Sequence, residues 1–171
     1  MNFKRRKAEF VLAVMMALTA TASVASGQDR DKGWFNDKDK DRTLVGTWRT
    51  VATIRNCQTD APLATVKGLF TFNVGGTMSS YGVGPGQSPA LISPSFGVWQ
   101  REHGWQEYSF TFTFYRYDGT GAVIGSQKNK ATLQLSPSGD EFTTNTSIQI
   151  FDANDNLIGT GCGNLAGTRF E

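Results

Sequence analysis

The fold is decided by the stretch Leu44-Val-Gly-Thr-Trp-Arg-Thr-Val-Ala-Thr-Ile54, which leads into Cys57. Successive side chains of a β-strand point to opposite faces. One face would carry Trp48, Thr50, Ala52 and Ile54, and the other would carry Arg49, Val51, Thr53 and Arg55. This period of two predicts a half-buried antiparallel strand.

Seven further β-rich runs follow, separated by turn residues such as Gly75-Gly76, and no helical period appears. The runs cover residues 65–74, 77–81, 96–101, 108–117, 122–135, 141–151 and 157–170. They predict an all-β domain with about eight antiparallel strands. A meander of this length has unpaired edges unless it closes on itself, so we expect an up-and-down β-barrel.

The turns give an estimate of the strand registers, because loop length fixes the register of a hairpin. They place Phe114 opposite Val123, Leu133 opposite Phe142, and Ile150 opposite Leu157. With these registers, Tyr108 faces Asn129, and Asn129 faces Thr146.

The first and last strands can also be matched to each other. If Trp48 lies opposite Arg169, the inner residues Thr50, Ala52 and Ile54 meet Gly167, Leu165 and Gly163. The sequence therefore predicts that the first and last strands are neighbours in a closed barrel.

The N-terminus has the pattern of a secretory signal peptide over residues 1–26, with four basic residues, an apolar run from Phe10 to Leu18 and small residues before cleavage at Ala25 or Ser26. An uncleaved membrane anchor is the alternative. Residues 27–42 alternate acidic and basic side chains, which predicts a disordered linker before a barrel domain at 43–171. We expect a secreted or periplasmic monomer with no membrane span after signal removal.

Charge argues against nucleic-acid binding. Removing residues 1–26 takes away four of 17 basic residues and one of 15 acidic residues, leaving 13 against 14. A nearly neutral chain lacks the basic surface that attracts nucleic acid.

Two cysteines, Cys57 and Cys162, occur in the predicted mature chain. In an oxidising compartment a single pair is usually bonded, so we expect a disulfide. A reduced pair or a metal site is the alternative, but zinc needs further ligands and the chain has one His. No metal or cofactor is expected.

With Gly46-Thr-Trp48 in the first strand and Arg169 in the last, the chain resembles the lipocalins and the wider calycin superfamily. Gly-Thr-Trp also occurs in avidin-like barrels, and the Thr-Asp-Tyr signature of lipocalins has no match. The resemblance implies that Arg169 packs over Trp48 at the closed end of the barrel. It carries over no particular ligand.

Several polar side chains interrupt the apolar inner face, close to the small residues Gly161 and Gly163. They are Tyr108, Gln127, Asn129, Thr144 and Thr146. Buried polar groups need hydrogen-bond partners, so these residues are candidate ligand contacts. The alternative is a core network that satisfies itself and encloses no cavity.

The longest loop, residues 82–95, is rich in Gly and Pro, and its Pro85, Leu91 and Ile92 suggest a lid over the barrel mouth. A surface loop that packs only on its own Leu91 and Ile92 is the alternative. The directions of Trp99 and Trp105 stay open, because the register of their hairpin is ambiguous.

These features favour a secreted, lipocalin-like barrel that binds a small apolar or amphipathic molecule. One alternative is a small-barrel isomerase or cyclase, similar in architecture to the allene oxide cyclase family. Another is a rigid protein-interaction module without a ligand. No catalytic residue is assigned, since no nucleophile has a base at a fixed spacing.

Overall fold

The computed structural model describes residues 43–170. The predicted signal peptide, 1–26, and the predicted linker, 27–42, lie outside the described residues. Within residues 43–170, no helix has the length and apolar character needed to cross a membrane.

Eight antiparallel strands form the domain, and they confirm the predicted all-β class. They are β1 (Gly46–Arg55), β2 (Pro62–Phe72), β3 (Thr77–Val83), β4 (Ser95–His103), β5 (Glu107–Tyr117), β6 (Val123–Leu135), β7 (Glu141–Asp152) and β8 (Leu157–Arg169). A short 3₁₀ turn, Pro89–Leu91, lies in the loop between β3 and β4.

The sheet closes on itself as predicted. Each strand pairs with the next, and β8 pairs with β1. Trp48 lies opposite Arg169, and the pairing continues to Ile54 opposite Gly163, which is the register expected from the sequence. Closure removes both edges of the sheet, so each of the eight strands has a neighbouring strand on both sides.

The predicted register between β5 and β6 is wrong by four residues. Phe114 faces Gln127 rather than Val123, and Tyr108 faces Leu133 rather than Asn129. The backbone N–H of Asp118 donates to Ala122 O at 3.0 Å, so the turn takes up more residues than the predicted register allows, and a bulge after Arg116 shifts the β6 partners further toward the C-terminus. The inner and outer faces are nevertheless correct, because the error is an even number of residues.

The other two predicted hairpin registers are each wrong by two residues. Leu135, not Leu133, faces Phe142, and Gly159, not Leu157, faces Ile150. Ser136 N donates to Glu141 O at 2.8 Å, so four residues form the first turn where the predicted register implies two. A bulge after Ile150 displaces the second pairing. As a result, the residues that flank Asn129 across the sheet are Phe112 and Ile148.

The apolar core fills the end of the barrel where the chain enters β1. Its fully buried side chains are Leu44, Trp48, Phe72, Met78, Tyr108, Leu135 and Phe142. The indole of Trp48 packs edge-on against Phe142, with ring centroids 4.9 Å apart. Trp99 points inward against Phe72 and Tyr108, and Trp105 packs on the same core.

Arg169 lies over Trp48 at this closed end, with its guanidinium carbon 4.4 Å from the ring centroid. It also donates to three backbone carbonyls, those of Thr43, Val45 and Gly139, at 2.7 to 3.2 Å. Gly46 has φ of 131°, and a Cβ there would lie 3.0 Å from the Arg169 Nη1 atom. This packing favours glycine at position 46.

The predicted disulfide is confirmed. Cys57 follows the end of β1, Cys162 lies in β8, and their Cα atoms are 5.3 Å apart across 105 residues of sequence. The bond joins the first strand to the last at the end of the barrel opposite Trp48. A disulfide suggests a compartment outside the reducing cytosol.

Candidate functional site

A cavity of about 410 Å³ occupies the half of the barrel opposite the Trp48 core. Most of its wall is apolar, formed by side chains such as Ile54, Val66, Phe70, Phe112, Phe114 and Ile148. All of them lie on the inner faces that strand alternation predicts. Small barrels can hold one small ligand in such a space.

Glycines on β2 and β3 help to create this space. Gly68 and Gly82 face each other and both line the cavity. A Cβ at Gly68 would lie 2.7 Å from Tyr81 O, and one at Gly82 would lie 2.9 Å from Lys67 O. The backbones approach too closely for a side chain, so the wall stays open at this point.

Asn129 presents an unpaired donor on the cavity wall. Asn129 is only 4% exposed, and its Oδ1 accepts a hydrogen bond from Gln127 Nε2 at 3.0 Å. Its Nδ2 is buried and has no hydrogen-bond partner among the described residues. An unsatisfied buried donor costs about 1 to 3 kcal/mol, so this atom marks a place where a ligand acceptor would be stabilised.

Thr146 lines the cavity, and Thr144 lies one step deeper on the same face of β7. Their hydroxyl groups are 3.0 Å apart. The Thr144 hydroxyl also accepts a hydrogen bond from Leu165 N at 3.0 Å. Thr144 therefore ties β7 to β8, while Thr146 stays available at the cavity surface.

Tyr108 is placed elsewhere. It is buried in the core at the closed end, and its hydroxyl donates to Trp105 O at 2.8 Å. The incorrect β5–β6 register placed it beside Asn129. The structure thus brings Gln127, Asn129 and Thr146 together, with Thr144 behind them, and separates Tyr108 from them.

The loop between β3 and β4 reaches over the cavity. Leu91 and Ile92 line the cavity together with Gln87 and Ser93, whereas Pro85 is exposed to solvent. Ser93 N donates to Tyr115 O at 3.0 Å, and Tyr115 N donates to Ser93 Oγ at 2.9 Å.

This loop also replaces a missing part of the barrel wall. The β3–β4 pairing ends at Ser80 and Ser95, and the β4–β5 pairing reaches no higher than Phe96 and Thr113. Above that level the wall between β3 and β5 is made by the loop, through a bridge between Ile92 and Arg116.

Arg116 is a cavity residue that the sequence reasoning missed. It is half-buried and lines the cavity near its mouth. No hydrogen bond or ion pair engages its guanidinium anywhere in residues 43–170. Alternation beyond Phe110, Phe112 and Phe114 points to this inward position, so the signal was present in the sequence.

Glu102, His103 and Glu107 are exposed to solvent at the end of the barrel away from the cavity mouth. His103 Nδ1 is 3.5 Å from Glu107 Oε2, and both side chains are exposed. Hydrogen bonds from Ser109 and Gln100 hold the pKa of Glu102 below its ordinary value. Within the described part of the chain, no group of three or more His, Cys, Asp or Glu residues is placed to hold a metal ion.

Asp118 and Asp152, at the turns that follow β5 and β7, have structural roles. Asp118 Oδ1 accepts hydrogen bonds from Thr120 and Ala122, and Asp152 accepts from Asn154 and Asn156. These bonds lower the pKa of both carboxyl groups, and the largest contribution to each comes from a side-chain hydrogen bond, from Thr120 and Asn156 respectively. Each carboxylate therefore stabilises a turn rather than facing the cavity.

Comparison with known proteins gives little beyond this geometry. No protein-family model matches the chain, and no curated protein matches its sequence significantly. Among solved structures, the chain is similar to the S-type phycobiliprotein lyase CPES from Guillardia theta, with 10% identity and a TM-score of 0.41 over 81% of this chain and 95% of that chain. Similarity at this level says nothing about what this chain binds.

Proposed function

We propose that this protein is a secreted, lipocalin-like barrel that binds a small, partly apolar molecule in the cavity opposite Trp48. The observation that carries the proposal is the Asn129 Nδ2 atom, which is buried and unpaired on the wall of a cavity of about 410 Å³. An apolar cavity with a few polar groups is the usual form of a small-molecule site.

A bound water is a weaker explanation for Asn129. A buried water typically makes two to four hydrogen bonds. Across the sheet, however, Asn129 is flanked by the apolar residues Phe112 and Ile148, and its own Oδ1 already accepts from Gln127. A ligand that offers one acceptor and otherwise apolar atoms fits these surroundings better.

The proposed location rests on two features. The disulfide Cys57–Cys162 suggests a compartment outside the cytosol, and residues 1–26 have the sequence pattern of a signal peptide. The mature protein should begin after Ala25 or Ser26, which mass spectrometry of protein from its own source would show.

The binding proposal is tested by native mass spectrometry of protein purified from its own source. A retained ligand appears as added mass that is lost on denaturation. The cavity is tested separately with N-phenyl-1-naphthylamine, an uncharged dye that fluoresces in apolar surroundings. A protein that carries no ligand and does not bind this dye would contradict the proposal.

The role of Asn129 is tested with Asn129→Leu, a replacement of similar size that removes the donor. We expect the variant to stay folded, to bind the uncharged dye and to lose its natural ligand, since a ligand acceptor would then be buried without a partner. Thr144→Val is the control. It removes the hydroxyl that accepts from Leu165 N, so it should lower the melting temperature while ligand retention persists.

A further inference from the structure

Among the described residues that line the cavity, Arg116 is the only one with a charged side chain. A guanidinium is protonated at any physiological pH. This side chain is half-buried, so solvent screens its charge less than that of a fully exposed arginine. The cavity therefore has a fixed positive charge near its mouth.

Nearby acids do not neutralise this charge. Asp118 and Asp152 use their carboxylates in the turns that follow β5 and β7, and Asp60 pairs with Arg55 at 3.3 Å. No carboxylate lies within ion-pair distance of Arg116 in residues 43–170. A guanidinium without a protein partner beside an apolar cavity is suited to an anion from outside the chain.

The Arg116 guanidinium and the Asn129 Nδ2 atom belong to residues at different heights along the barrel wall. Arg116 faces Gly125, and Phe112 faces Asn129, so the two levels are four residues apart on β5. At about 3.3 Å per residue, this separation is about 13 Å between backbone positions.

From this arrangement we infer that the ligand is an amphipathic organic acid. Its anionic group pairs with Arg116 at the mouth, its apolar body lies against Phe112 and Phe114, and an acceptor near its inner end meets Asn129 Nδ2. The inference rests on the proposed function and adds the chemical class of the ligand. An organic cation would find no acidic side chain on the cavity wall described here.

Two dyes of the same shape test this inference. 1-Anilinonaphthalene-8-sulfonate has the aromatic body of N-phenyl-1-naphthylamine and adds one anionic group. With Arg116→Gln, we expect the dissociation constant of the sulfonate to rise about tenfold, because hydrogen bonds to charged groups are the stronger ones. The dissociation constant of the uncharged dye should change by less than about twofold.

Lys128→Gln is the matched control for charge. Lys128 is exposed on the outer face of β6, where it lies opposite Thr113. The substitution Lys128→Gln removes one positive charge, as Arg116→Gln does, but at a position outside the cavity. Sulfonate binding should therefore be unchanged. Equal losses from Arg116→Gln and Lys128→Gln would indicate general attraction to the surface and would overturn the inference.

Ala52→Phe shows where the dyes bind. Ala52 points into the cavity from β1, so a phenyl group there should exclude both dyes. If it does, and Arg116→Gln leaves the sulfonate affinity unchanged, the ligand is not an acid while the binding function stands. If Ala52→Phe excludes neither dye, or neither dye binds the wild type, the binding function itself fails.

Discussion

Arg169 shows how much one residue does at the closed end. Its guanidinium covers the Trp48 ring and donates to carbonyls from two separate segments, residues 43–45 and Gly139. The planar, five-donor guanidinium can satisfy several carbonyls at once, which the single ammonium of lysine cannot do in the same geometry. One side chain thus holds the start of the domain against the β6–β7 turn.

Truncation of these residues should lower stability in a coupled way. Trp48→Ala should cost about 3 to 5 kcal/mol in the free energy of unfolding, as expected for a buried aromatic residue. Arg169→Ala should cost less, and the double variant should lose less than the sum because the two side chains are in contact.

Chemical denaturation of the single and double variants measures this coupling. Arg49→Ala is the control, since Arg49 also lies over an aromatic ring, that of Phe170, but on the exposed outer face of β1. It should change stability by no more than about 1 kcal/mol. Additive losses for Trp48 and Arg169 would show that their contact contributes nothing.

Individual turns decide the pairing of whole strands in this barrel. The Asp118 carboxylate accepts from Thr120 and Ala122, and this cap lets β5 and β6 pair up to Tyr117 and Val123. Since these hydrogen bonds lower its pKa, Asp118 favours the folded state when it is ionised.

This turn should make stability depend on pH. The stabilisation by Asp118 is fully present above the unfolded pKa, about 3.9, and is lost as pH falls through the lower pKa of the folded protein. Asp118→Asn keeps an oxygen acceptor but cannot ionise. The difference in melting temperature between wild type and Asp118→Asn should therefore shrink as pH falls from about 5 to 2.

Asp152→Asn provides a second measurement of the same effect, because Asp152 caps the β7–β8 turn in the same way and its pKa is also lowered. A constant difference at all pH values, for both variants, would mean that ionisation of these carboxylates contributes nothing to folding.

Strand positions and faces could be predicted from the sequence, because both follow from local alternation. The register between β1 and β8 was also predicted correctly, from the match of Trp48 with Arg169. The three hairpin registers were not, because they depend on how many residues each turn takes up and on bulges such as those after Arg116 and Ile150.

Asn129 and Thr146 face inward as predicted, because a register error of an even number of residues does not change which face a side chain is on. Tyr108 was wrongly grouped with Asn129. Both residues face inward, and only the register shows that Tyr108 lies in the core at the closed end while Asn129 lies at the cavity.

At the scale of the whole molecule, the seam between β1 and β8 is fastened at both ends. Arg169 pairs with Trp48 at the closed end, and Cys57–Cys162 joins the strands near the cavity mouth. Residues at the two extremes of the domain are therefore held together by side chains as well as by backbone pairing.

Removing the disulfide should destabilise the folded chain. For a closed loop of this length, the chain-entropy model gives about 4 to 5 kcal/mol, which is an upper value where the unfolded chain retains structure. The double variant Cys57→Ser/Cys162→Ser should unfold at a lower denaturant concentration than the wild type while keeping its circular dichroism.

The bond itself is checked by thiol titration of the unfolded, unreduced protein, which should show no reactive thiol in the wild type. Equal denaturation midpoints for the wild type and the double serine variant would show that the disulfide does not stabilise the fold by lowering the conformational entropy of the unfolded chain.

A loop rather than a strand fills the wall between β3 and β5. The cavity can therefore open there without unfolding of the barrel, whereas in a fully strand-paired barrel opening the wall requires breaking a strand pair. The loop is joined to β5 chiefly through Ser93, Tyr115 and the single bridge from Ile92 to Arg116. Breaking these contacts leaves the strand-to-strand ladders intact, so the loop can open as a local event while the rest stays folded. Amide hydrogens in the loop can then exchange with solvent long before those of β6 and β7 do. For a ligand bound as proposed, this local opening rather than global unfolding would set the residence time, so a more stable barrel need not hold its ligand longer.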